Sequence, residues 1–106
     1  MDKERLRDLL REATADCHDD DEAFWGIFYT LAEEGLSFPL QAKVLGEPVE
    51  VVDLDGASSS LRRGIVALVR KGDREHSVAL ADLEFVDPDP VSVEWLEVYR
   101  YWLGLG

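Results

Sequence analysis

The stretch Gly35-Leu36-Ser37-Phe38-Pro39-Leu40-Gln41-Ala42-Lys43-Val44-Leu45-Gly46-Glu47-Pro48-Val49-Glu50-Val51-Val52-Asp53-Leu54 is where this chain changes its period. Before it, apolar residues recur every three or four positions. From Leu40 onward they alternate with polar ones, first over Leu40–Val44 and again over Val49–Leu54. A period near 3.6 marks an amphipathic helix and a period of two a half-buried strand. Pro39 bars the preceding helix from continuing. Gly46-Glu47-Pro48 reads as the turn between two strands. One stretch therefore places helices upstream and an antiparallel sheet downstream.

Upstream, Leu6, Leu9, Leu10 and Ala13 form the stripe of a helix over about residues 3–14. Ala23, Phe24, Ile27, Phe28 and Leu31 form that of a second, about 20–34, with Asp19 or Asp20 placed to cap its start. Gly35 suits the C′ position that ends it, with Leu36 supplying the accompanying apolar contact. Downstream, Asp55–Ser60 reads as a polar, flexible loop and Arg63–Arg70 as a third strand. Lys71-Gly72-Asp73 reads as a tight turn, Glu75–Leu80 as a fourth strand, and Ala81–Val86 as a short bend with a last strand. Asp87-Pro88-Asp89-Pro90 is a rigid break. A final helix follows over Val91–Leu103, with Trp95, Val98, Tyr99 and Trp102 on one face, and Trp25 and Tyr29 are available to pack against it. The predicted fold is α+β: two N-terminal helices, a small antiparallel SH3-like β-barrel, and a C-terminal helix. The expected organisation is one domain over 1–106, with helices in 1–37, the barrel in 38–87 and the last helix in 88–106.

The chain has 106 residues, 46% of them hydrophobic, and 23 Asp+Glu against 11 Lys+Arg, for a formal net charge of −12. So acidic a chain is ill suited to a phosphate backbone or an anionic membrane surface. No apolar run approaches the roughly 20 residues of a membrane span, and the charged N-terminus does not read as a signal peptide. Cys17 is the sole cysteine, which fits a reducing compartment, so a cytoplasmic location is expected.

The charge is uneven. Residues 16–42 hold seven acids and no base, and residues 76–106 hold six acids against Arg100 alone, whereas the other segments balance. Within the first of these, Asp16-Cys17-His18-Asp19-Asp20-Asp21-Glu22 puts five carboxylates in seven residues. One or two would serve a helix cap and dipole. The rest repel unless a cation lies among them, and clustered oxygens suit Ca²⁺. A metal site and a solvated helix start both remain open on these residues alone. Glu33 and Glu34 oppose the dipole at the end of their helix, reading either as solubilising charge or as part of a second cation site with Asp82 and Glu84. Glu34 and Asp19 lie too far apart along a continuous helix to share an ion. An EF-hand is excluded, because a loop begun at Asp19 meets Ala23 and Phe24 at its fifth and sixth positions, and one begun at Asp53 meets Ala57 at its fifth. Asp53-x-Asp55-Gly56 reads as a turn. Cys17 and His18 are adjacent and do not converge as a catalytic pair. No nucleophile–base–acid set, P-loop or paired-cysteine motif is present, so no enzyme activity is expected.

Taken together, several segments resemble the small bacterial calcium-binding proteins typified by the cyanobacterial protein CcbP. They are Asp16-x-x-Asp19-Asp20-x-Glu22, Trp25-Gly26-x-x-Tyr29-x-Leu31, and Glu33-Glu34-x-Leu36-x-Phe38-Pro39-Leu40-x-Ala42-Lys43. Gly46-Glu47-x-Val49-Glu50-Val51, Val78-Ala79-Leu80-x-Asp82-Leu83-Glu84 and Trp95-x-x-x-Tyr99-x-Tyr101-Trp102-Leu103 follow in order, so that the resemblance spans about 15–103. It implies a non-EF-hand protein that binds Ca²⁺ through Asp16, Asp19, Asp20, Glu22 and Glu34, as a cytoplasmic buffer or sensor in calcium homeostasis and without catalysis. The rival reading from the residues is an acidic SH3-like adaptor that docks a basic protein partner.

Overall fold

A computed structural model describes residues 3–105; Met1, Asp2 and Gly106, included in the expected domain bounds, lie outside the described residues. The chain separates into a helical unit, residues 3–36 with 89–105, and a sheet unit, residues 37–88.

In the helical unit, α1 (Lys3–Ala13) buries Leu6, Leu9 and Leu10 on one face, as their spacing requires. Helix α2 (Asp20–Thr30) buries Phe24, Ile27 and Phe28. It then runs into a π-helical turn over Leu31–Gly35, closed by Leu36 N–H donating to the Leu31 carbonyl at 3.0 Å. Gly35 therefore does not act through the left-handed cap expected of it. It makes room: a Cβ there would lie 2.7 Å from Cγ of Trp95 in the last helix. Gly26 does the same for α1, since its Cβ would lie 2.6 Å from the Ala13 carbonyl oxygen. Helix α3 (Pro90–Leu105) starts with proline at its first position, where the missing N–H costs nothing. Asp89 caps it, accepting Ser92 N–H at 3.1 Å and Ser92 Oγ–H at 2.6 Å. Those two bonds hold the Asp89 carboxyl below its ordinary range. Leu96, Val98 and Tyr99 are buried, and the Arg5–Glu94 pair at 2.9 Å joins α1 to α3 at the surface. Trp25 packs edge-on against Phe24 and Phe28 of its own helix, and it is Phe24 that meets Trp102 of α3.

The sheet unit has five antiparallel strands: β1 (Leu40–Val44), β2 (Glu47–Leu54), β3 (Val66–Lys71), β4 (Arg74–Ala79) and β5 (Glu84–Phe85), in the order β4-β3-β2-β1-β5. The expected closed SH3-like barrel is corrected to an open sheet: β4 and β5 are its two edges and, among the described residues, do not pair. A closed barrel leaves no free edge, whereas β5 has only two residues, both paired with β1. The β1–β2 turn is Leu45-Gly46, one residue earlier than expected, and both residues have left-handed φ (51° and 83°). Pro48 thus falls inside β2, opposite Lys43 and beyond the Glu50↔Arg70 pair where the β2–β3 ladder ends, so its missing N–H breaks no ladder bond. A bulge between Val51 and Asp53 turns both Val51 and Leu54 inward, three residues apart instead of two. With Ala42, Ile65, Ala67, Val69 and Leu80 they form the buried side of the sheet. Among the described residues, no helix is long and apolar enough to cross a membrane.

The loop expected to be flexible is tied down. The Asp55 carboxylate accepts Ser58 Oγ–H (2.8 Å) and Ser77 Oγ–H (2.9 Å), and buried Ser59 donates Oγ–H to the Asp55 carbonyl (2.7 Å) while accepting Val66 N–H (2.8 Å). Asp55 is the keystone of a turn, as its spacing suggested.

Candidate metal site

Between α1 and α2 the chain runs through Thr14–Asp19. Asp19 is extended (φ −141°, ψ 176°), the conformation of a helix N-cap, and its Oδ1 accepts Glu22 N–H at 2.8 Å. Glu22 reaches back, its Oε2 accepting His18 N–H at 2.8 Å. This is the reciprocal logic of a capping box, displaced by one residue to His18. The Cys17 thiol donates to the Glu22 carbonyl at 3.3 Å. Partial burial, with the negative charges of Glu22, Asp16 and Asp19 beyond it, pushes that thiol up, so it stays protonated and neutral at physiological pH.

Asp16, Asp19, Asp20, Asp21 and Glu22 are all exposed. A shallow hollow of about 250 Å³, lined by Thr14, Cys17, His18, Asp19, Asp20 and Ala23, lies in this loop. Asp19 and Asp20 thus share one concavity. Asp16 and Glu22 flank it in sequence and do not line it. Glu33 and Glu34 are exposed in the π-helical turn of the helical unit; Asp82 and Glu84 are exposed in the sheet unit. Among the described residues, no three Asp, Glu, His or Cys side chains already converge around one point as a metal cage.

The donor chemistry fits a hard cation. Asp19 and Glu22 each commit one carboxylate oxygen to capping and keep the other, and Asp16 and Asp20 add more. No Lys or Arg lies between residues 12 and 42 to neutralise them. The donors these candidate side chains offer are all oxygens, the preference of Ca²⁺. Acidic residues in the first turn also lie at the positive end of the helix dipole. Charge clustering marks Asp19 as a candidate ligand, and the family resemblance adds Glu22. Their capping partnership was missed, although Asp19-x-x-Glu22 ahead of an apolar run is its sequence signature.

The sequence profile of the CcbP family, described as calcium binding, matches residues 8–103. Two solved structures superimpose closely. The crystal structure of Anabaena CcbP has a TM-score of 0.84 and 25% identity, covering 97% of this chain and 91% of the other. A calcium-binding protein in its calcium-binding form has a TM-score of 0.81 and 25% identity, covering 99% and 93%. No curated protein matches the chain. With its profile matched across nearly the whole length, this chain belongs to the CcbP family of calcium-binding proteins.

Proposed function

We propose that this protein binds Ca²⁺ reversibly through the loop Asp16–Glu22, with Asp16, Asp19, Asp20 and Glu22 as carboxylate ligands, and that it serves as a non-EF-hand calcium buffer or sensor in the cytoplasm. Membership of a calcium-binding family carries the identity of the ion. The loop is the preferred location because it has the densest carboxylates and no base. Glu34 is the proposed anchor of a separate, second site, with Glu33 beside it. The loop's own residues divide the work. Asp19 and Glu22 hold the turn open at the helix start through their caps, and Asp16 and Asp20 bring further charge to it. The ion, when bound, supplies the positive charge that offsets their repulsion. Its remaining coordination would come from water and backbone carbonyls, as is usual for an ion that takes about six to eight oxygens. No step requires a nucleophile or a proton relay, and the protein is read as a binder and not an enzyme.

Calorimetric titration tests this reading. Ca²⁺ should give a saturable heat that equal Mg²⁺ does not reproduce, and Asp19→Asn with Asp20→Asn should weaken it. A flat Ca²⁺ titration would sink the function. An unchanged titration in the double variant would move the site elsewhere, with Glu34→Gln the next variant.

A further inference from the structure

Helix α2 sends Phe24, Ile27 and Phe28 into the core, yet it carries two further rings on another face. Tyr29 is 56% exposed and Trp25 is half-buried. They stand at i,i+4, one above the other on the helix surface. Their ring centroids are 6.0 Å apart and their planes 35° from parallel. Among the described residues, the ring contacts of both are with members of α2 itself: Trp25 with Phe24 and Phe28, and Tyr29 with Phe28. The outer faces of the two rings thus add little to folding, because apolar surface left in water gives no burial energy.

Carboxylates stand at both ends of the ring pair. Asp21 and Glu22 precede Trp25 at i,i+4 and i,i+3, Glu33 follows Tyr29 at i,i+4, and all three are exposed. The face therefore reads carboxylate, indole, phenol, carboxylate over about 18 Å of helix. No Lys or Arg lies between residues 12 and 42, and among the described residues none of these three acids joins an ion pair. Charge and shape select the occupant. Acidic ends and the negative faces of the rings both attract cations and repel anions. A second copy would bring the same acidic face and a net charge of −12, so like repels like. A straight ridge with one feature per turn matches the pitch of another helix. The aliphatic stems of Lys and Arg can lie along the rings while their charged heads reach the carboxylates.

We propose that the α2 face formed by Asp21, Trp25, Tyr29 and Glu33 docks a basic amphipathic helix of another protein, with Lys or Arg side chains over the rings and at the acidic ends. The probe is a synthetic amphipathic helix of about 14 residues, made of lysine and leucine at helical spacing. It is titrated into the isotope-labelled full chain with chelator present, so that the outcome does not depend on the calcium site. Backbone amide shifts should concentrate at residues 21–33. Tyr29→Leu keeps an exposed apolar side chain but removes the ring, and should weaken binding roughly fivefold. Tyr29→Phe should restore it, because the ring face returns. Asp21→Asn with Glu33→Gln should weaken binding and reduce its dependence on salt. Replacing the probe's lysines by glutamine should abolish it. Shifts spread over every acidic segment, with Tyr29→Leu indistinguishable from the parent, overturn the proposal by reducing the attraction to bulk charge. Spermidine that moves the same amides with equal affinity overturns it in favour of a small polyamine. A flat titration up to near-millimolar probe overturns it outright.

Discussion

Asp19 and Glu22 hold each other's strand of the loop: Asp19 Oδ1 accepts the Glu22 backbone N–H at 2.8 Å, and Glu22 Oε2 turns back to accept the N–H of His18, the neighbour of Asp19, at the same distance. Two of the four loop carboxylates proposed to bind the ion are thus also the caps that begin α2. Capping and ion binding can then be separated by substitution. Asp19→Ala removes the cap and should cost about 0.5–2 kcal/mol of stability without calcium. Asp19→Asn keeps an oxygen cap and removes only the charge, so its calcium-free stability should stay near that of the parent while Ca²⁺ affinity falls. Urea melts with and without chelator check both.

Calcium should stabilise the folded chain by mass action. At a free concentration of one hundred times the dissociation constant the gain is about 2.7 kcal/mol, seen as a rise in melting temperature that chelator reverses. Equal shifts from Ca²⁺, Mg²⁺ and matched NaCl would reduce the effect to screening of the −12 charge.

Gly26→Ala should destabilise in spite of alanine's better helix propensity. The added Cβ meets backbone, the Ala13 carbonyl oxygen at 2.6 Å, and the Cys17 sulfur at 3.2 Å. Overpacking of about 1–3 kcal/mol is set against the roughly 1 kcal/mol gained in propensity, for a net loss of up to about 2 kcal/mol. Gly104→Ala in α3, where a Cβ meets nothing within 4 Å, should be neutral or stabilising by up to about 1 kcal/mol. Chemical denaturation of the pair distinguishes packing from propensity by the opposite signs.

Acid should expose the role of Asp55. The hydroxyls of Ser58 and Ser77 bond its ionised form and hold its carboxyl below the ordinary value of 3.8. A carboxyl depressed in the folded state contributes stability that is full above its unfolded pKa and is lost as the pH falls through the lower folded one. Asp55→Asn should therefore be less stable than the parent near neutrality, and the gap should narrow as the pH falls below 3.8. Melting curves across that range check it, and a gap constant with pH would remove the electrostatic explanation.

Much of this architecture is local and was legible before any coordinates. The stripes of α1, α2 and α3, the alternation of β1 and β2, and the punctuation of Pro39 and Asp87–Pro90 each follow from the chemistry of a few consecutive residues. The charge map was equally legible, since counting alone isolates Asp16–Glu22 as base-free. These features needed no partner from afar, because helix and strand periods are set by backbone geometry.

Other features arise where a distant group overrides local preference. Gly35 reads locally as a cap, but the Trp95 indole claims the space beside it, and the helix ends instead in a π-helical turn. Leu45 sits at positive φ because the β1–β2 register puts the turn there, displacing the better-suited Gly46-Glu47-Pro48. The strand count was readable, but whether the sheet closes depends on the pairing of strands far apart in the chain, which no local pattern encodes. Local chemistry sets the secondary elements, the acidic loop and the caps that Asp19 and Glu22 make within it; long-range packing sets the open sheet and the close approaches at Gly26 and Gly35.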